Sequence, residues 1–123
     1  MANPNIVAVT SIYGSTSYLI PSTTAATTWT ALTPATGTVN KIDNIVASNV
    51  TSSAATVTVS INSATGGAGT AYRIAYQISV PPNASLIITD KTTAFYVGEG
   101  QSVVVTVGTA SAIELTASLE AIS

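Results

Sequence analysis

The chain has 123 residues, no cysteine and no histidine, and its three basic and five acidic side chains leave a formal net charge of -2. That excludes a disulfide framework, a thiolate metal centre, any imidazole-based catalytic triad, and the phosphate neutralisation on which nucleic-acid binding depends. Charged residues make up 7% of the chain against about 25% in ordinary globular domains, yet 46% are hydrophobic, too many for a disordered polymer.

The polar surface therefore falls to 21 Thr and 15 Ser, together with Asn. A surface with so few charges is weakly protected against association, so much of it is expected to be covered in an assembly. The opening Met1–Asn5 has neither a basic region nor an apolar run, and reads as no signal peptide. No apolar stretch approaches the 18 or so residues of a membrane span. The expectation is a protein made in a cytoplasm, with no membrane partner.

Taken in chain order, the elements are nearly all strands of period two. Ile6–Thr10 and Tyr18–Pro21 are the first expected strands, and the Thr/Ser-rich stretch Ser22–Thr28 is a loop. Thr28–Leu32 reads as a strand. It contains Trp29, which needs burial; its threonine neighbours place it at an interface with a partner. In Val39–Ser48 the phase breaks, because Ile42 and Val46 lie opposite Ile45, and a bulge near Asp43-Asn44 would restore it.

Val57, Val59 and Ile61 then share one side of a strand, with Thr56, Thr58, Ser60 and Asn62 on the other. Thr65-Gly66-Gly67-Ala68-Gly69 supplies a hairpin loop; no Lys-Ser/Thr pair follows it, so it is no phosphate cradle. Tyr72, Ile74, Tyr76, Ile78 and Val80 alternate with Arg73, Ala75, Gln77 and Ser79, which assigns both tyrosines to core packing. Pro81-Pro82-Asn83 is a turn, Ser85–Thr89 a strand, Asp90-Lys91 a turn, and Ala94–Val97 a strand. Gly98-Glu99-Gly100 precedes Val103–Val107, and Ile113–Ala121 closes the chain with apolar odd and polar even positions.

No helix is expected, since Thr, Val and Ile dominate and their β-branched side chains favour strands. About eight to ten short strands at regular spacing predict an all-β fold: one antiparallel β-sandwich of jelly-roll-like form spanning residues 1–123.

Chemistry-bearing groups are sparse. Glu114 and Glu120 lie on one strand face but roughly 20 Å apart at 3.3 Å per residue, too far to cooperate. Asp90 and Glu99 flank a hairpin and fall short of the six to eight oxygens that calcium takes. Asn49-Val50-Thr51 and Asn83-Ala84-Ser85 match the glycosylation sequon by chance in a chain so rich in Ser and Thr. The expectation is no catalytic residue, no cofactor, no metal and no small-molecule substrate.

The segments Ala2-Asn3-Pro4-Asn5-Ile6-Val7 and Thr10-Ser11-Ile12-Tyr13-Gly14 resemble the start of small virion structural proteins of tailed phages, especially those infecting cyanobacteria and other marine bacteria. The similarity continues through Lys41-Ile42, Val46-Ala47-Ser48-Asn49-Val50, Ile78-Ser79-Val80-Pro81 and Tyr96-Val97-Gly98-Glu99-Gly100-Gln101-Ser102 to the terminal Glu120-Ala121-Ile122-Ser123.

The resemblance implies a non-enzymatic virion component on the capsid surface, assembled in the host cytoplasm. Within that class it implies a decoration (cement) protein whose partners are the major capsid protein and further copies of itself, as a homotrimer or homodimer. It also implies an anchoring N-terminal arm at residues 1–5, with Asn3, Pro4 and Asn5 as partner-contacting residues beside Trp29. A tail, collar or fibre component and a carbohydrate-binding attachment module are the alternatives.

Overall fold

The computed structural model describes residues 8–123, a two-layer antiparallel sandwich of nine strands. They are β1 (Ile12–Leu19), β2 (Thr27–Thr28), β3 (Val39–Asn49), β4 (Ala55–Asn62), β5 (Ala71–Val80), β6 (Ser85–Thr89), β7 (Phe95–Val97), β8 (Ser102–Val107) and β9 (Ile113–Ile122). One sheet runs β1-β9-β3-β6, with β7 pairing the other half of β3; the second runs β2-β8-β4-β5. Leaving aside β7, this is the four-on-four order of a jelly roll, in which strands near the two chain ends lie beside each other.

Alternation explains which residues meet between the layers. On β9 the side chains of Ile113, Leu115, Ala117 and Leu119 are buried, while Glu114, Thr116, Ser118 and Glu120 point away from the core. The bulge expected on β3 is present: its register with β9 shifts between Ile42 and Asn44, so Ile42 and Ile45 both reach the core, three residues apart. On β8 Val103, Val104 and Val105 are all buried, because the loop after β4 covers the outer side of Val104. Strands buried on both faces read as continuous apolar runs.

That loop is organised by Asn62, whose carbonyl accepts from the backbone N–H groups of Ala64 and Gly69. Ser102 pins it from β8, donating to the Ala64 carbonyl and accepting from the Gly67 N–H. Gly67 stands at a φ of 73°, a conformation that favours glycine.

Three expectations are corrected here. Residues 6 and 7 lie outside the described residues, and 8–10 form no strand; the first strand begins at Ile12 and extends through Leu19, absorbing the start of the expected Tyr18–Pro21. Of the segment Thr28–Leu32 only Thr28 is strand, as the end of β2, and Thr30–Leu32 is a 3-10 turn that sinks Leu32 into the core. Ser85–Thr89 and Val103–Val107 match their expected ranges to within one residue.

Candidate interaction surface

Trp29 is not at the surface. It is 1% exposed, its backbone N–H donates to the Val103 carbonyl, and its indole Nε1 donates to Ser17 Oγ at 3.0 Å. The short β2 carries the chain from one sheet toward the other and turns the ring inward, so burial is satisfied within the chain and not by a partner. The expected contacts Asn3, Pro4 and Asn5 lie outside the described residues.

The tyrosines are displaced in the opposite sense. All five, Tyr13, Tyr18, Tyr72, Tyr76 and Tyr96, have exposed rings. For Tyr72 and Tyr76 this overturns the assignment to the core. The β4–β5 ladder shifts register on both sides of Val59, and Gln77 takes a φ of 47° with its N–H donating to Thr58 Oγ1. Residues added on β5 by these bulges change its phase, leaving Ile74 and Val80 inward and Tyr76 in solvent. Arg73 stacks over the Tyr76 ring at 5.3 Å.

The outer face of the β1-β9-β3-β6 sheet, the sheet with more strands, presents a regular surface. Cross-strand register sets Tyr18, Thr116, Val46 and Ile87 in one row and Thr16, Ser118 and Asn44 in the next. A third row holds Gly14, Glu120, Lys41 and Tyr96. Tyr18 is 75% exposed and Ile87 64%. Lys41 lies 3.8 Å from Asp43 and 3.9 Å from Glu120, and with Glu114 on the same face of β9 the one cation is outnumbered by carboxylates. Exposed pairs of this kind contribute about 0–1 kcal/mol to stability. The result is a mildly acidic surface of hydroxyls with large apolar projections at Tyr18, Ile87 and Tyr96.

At the opposite edge, an open cavity of about 280 Å3 separates the two sheets, lined by Ile61, Ile74, Ile88, Thr89, Thr93 and Phe95. Thr89 is 3% exposed and its hydroxyl has no hydrogen-bond partner. The acids of the neighbouring turns are committed separately. Asp90 caps its own 3-10 turn, accepting from the Thr92 N–H and from its hydroxyl at 2.6 Å, and these bonds hold its carboxyl below the ordinary aspartate value. Glu99 is buried and accepts from the Gly37 N–H at 2.7 Å.

Among the described residues no three His, Cys, Asp or Glu side chains gather into a metal-binding group, and no helix is long and apolar enough to cross a membrane. Asn49, the first sequon asparagine, is buried: its amide donates to the carbonyls of Ser53 and Val80 and accepts from Thr51. No protein-family model matches the chain, and no curated protein matches it.

Proposed function

We propose that this chain is a non-enzymatic structural protein of a tailed-phage particle, a decoration protein that docks on the outer surface of the major capsid protein lattice and stabilises the head. The observation that carries this reading is the outer face of the β1-β9-β3-β6 sheet: broad, mildly acidic with few charges, rich in hydroxyls, and studded with Tyr18, Ile87 and Tyr96. Aromatic side chains anchor interfaces, and Thr and Ser offer hydrogen bonds without the desolvation cost of full charges. A shell multiplies a modest contact over many copies. The resemblance of the sequence to small virion proteins supports the same reading. So, by fold-level analogy alone, does the jelly roll, which recurs in viral capsid and lectin domains.

The test is co-sedimentation of purified protein with assembled heads of the phage that encodes it, alongside isolated tails. Saturable binding to heads, abolished by Ile87→Asp and Tyr96→Ala while both variants stay folded, is the expected result. Binding to tails alone would replace the decoration role with that of a tail, collar or fibre component. The exposed pair Tyr72 and Tyr76, with Arg73 beside them, favours a second reading as a carbohydrate-binding attachment module, since such rings stack on sugars. Glycan-array binding lost on Tyr76→Ala would establish that reading instead.

A further inference from the structure

β1 is an edge strand without any of the devices that normally discourage pairing. Its eight residues Ile12–Leu19 carry no charge and no proline, and they keep an unbroken register with β9 from end to end. The other edges among the described residues are protected. β5 has two register shifts, a left-handed Gln77 and Arg73; β6 has five residues behind Pro81-Pro82; β7 and β2 have three and two. Bulges, charge, proline and short length are the usual means of blunting an edge, and a long flat edge without them is a template for another strand.

The backbone shows which residues are available. Ser11 and Ser123 exchange both of their hydrogen bonds, so the odd residues of β1 bond to β9. The even residues Ile12, Gly14, Thr16 and Tyr18 direct their N–H and C=O groups to the edge, which no other described strand pairs. Gly14 is otherwise unexplained. Its φ is not positive, a Cβ built on it would meet nothing within 4 Å, and glycine weakens a strand unless something approaches closely.

We infer that β1 pairs antiparallel with β1 of a second copy across a two-fold axis through Thr16, joining the two sheets into one. A two-fold axis perpendicular to the sheet must centre on one residue and its own copy. Centring on Thr16 sets Ile12 against Ile20 of the second copy, Gly14 against Tyr18, and Thr16 against Thr16. These are the outward-bonding positions. Between them Tyr13 faces Leu19 and Ser15 faces Ser17.

Each match is favourable: apolar with apolar, hydroxyl with hydroxyl, and an aromatic ring covering a glycine. Centring on Ser15 would instead leave Tyr13 against Ser17 and Gly14 against Thr16. With no charge on the edge, the two-fold brings no like charges together. The occupant is therefore a second copy of this chain. The inference goes beyond the proposed function and stands on the β1 edge alone.

The chain has no cysteine, so single cysteines report the register. Hydrogen-bonded pairs hold their Cα atoms about 5.5 Å apart, within disulfide reach. Under mild oxidation Thr16→Cys is expected to form a covalent dimer. Ser15→Cys and Ser17→Cys are each expected to stay monomeric alone and to cross-link when mixed. Sedimentation velocity of the unmodified protein should show a concentration-dependent dimer with a dissociation constant of about 1–100 µM, as befits an interface at the small end of the size range. Thr16→Lys should raise that constant at least tenfold, with an unchanged far-UV circular dichroism spectrum. A monomer throughout, or preferential cross-linking of Ser15→Cys to itself, would overturn the inference. All of this uses the isolated protein, so failure of head binding with dimerisation intact would count against the decoration role alone.

Discussion

The ring of Trp29 and the hydroxyl of Ser17 join two segments twelve residues apart, and removing either partner should be costly. A tryptophan side chain buries about 150–250 Å2. At about 25 cal/mol per Å2 that corresponds to about 4–6 kcal/mol of transfer free energy, an upper bound because unfolded chains already bury part of it. Truncation by Trp29→Ala should therefore destabilise by about 3–5 kcal/mol, a large share of the roughly 5–15 kcal/mol available to a domain of this size.

The hydrogen bond is separable from the packing. Trp29→Phe keeps most of the ring and should cost about 1–2 kcal/mol, while Ser17→Ala leaves a buried indole N–H without an acceptor and should cost about 1–3 kcal/mol. The double variant should cost less than the sum of the two by about 1 kcal/mol. Urea unfolding followed by far-UV circular dichroism measures all three, since Trp29→Phe removes the sole indole chromophore. Additive effects, with Ser17→Ala within about 0.3 kcal/mol of the parent, would refute the assignment. So would parent fluorescence readily quenched by acrylamide, which a ring 1% exposed should resist.

Three further outcomes are expected. Thr89→Val removes a buried hydroxyl without a partner at nearly constant shape and should leave stability unchanged or raise it by about 1 kcal/mol in urea unfolding. Asn49→Ala, which strands the carbonyls of Ser53 and Val80 and the N–H of Thr51, should destabilise by about 1–3 kcal/mol on the same assay. Asp90 has its folded carboxyl held low by its Thr92 and Thr93 bonds, so its contribution is present above the ordinary aspartate value of 3.8 and is lost as pH falls through the folded value. An NMR titration should show that carboxyl protonating below 3.8, with the Thr92 amide losing its bonded shift in the same range; protonation at or above 3.8 would contradict the geometry.

The fold was legible because alternation is a local property. Ile113–Ala121 and Val57–Ile61 display their core faces directly, and the bulge on β3 was visible as a break in phase between Ile42 and Ile45. What misled was anything decided by distant pairing. Tyr72 and Tyr76 alternate in perfect phase with Ile74 and Ile78, and only the two register shifts against β4 turn Tyr76 outward. Trp29 sits among threonines that look solvent-facing, yet Val103 on β8 and Ser17 on β1 enclose it from segments far along the chain. The β1 edge was hidden for a related reason. Ile12–Leu19 alternates weakly because both its faces are largely open, and its readable signal is the absence of charge and proline rather than a pattern.

The most direct measurement is a cryo-electron microscopy reconstruction of the phage particle with this chain fitted to the map. The account predicts density repeating over the capsid lattice, with Tyr18, Ile87 and Tyr96 turned toward the major capsid protein. Density confined to the tail or portal vertex, or a particle without the chain, would contradict it.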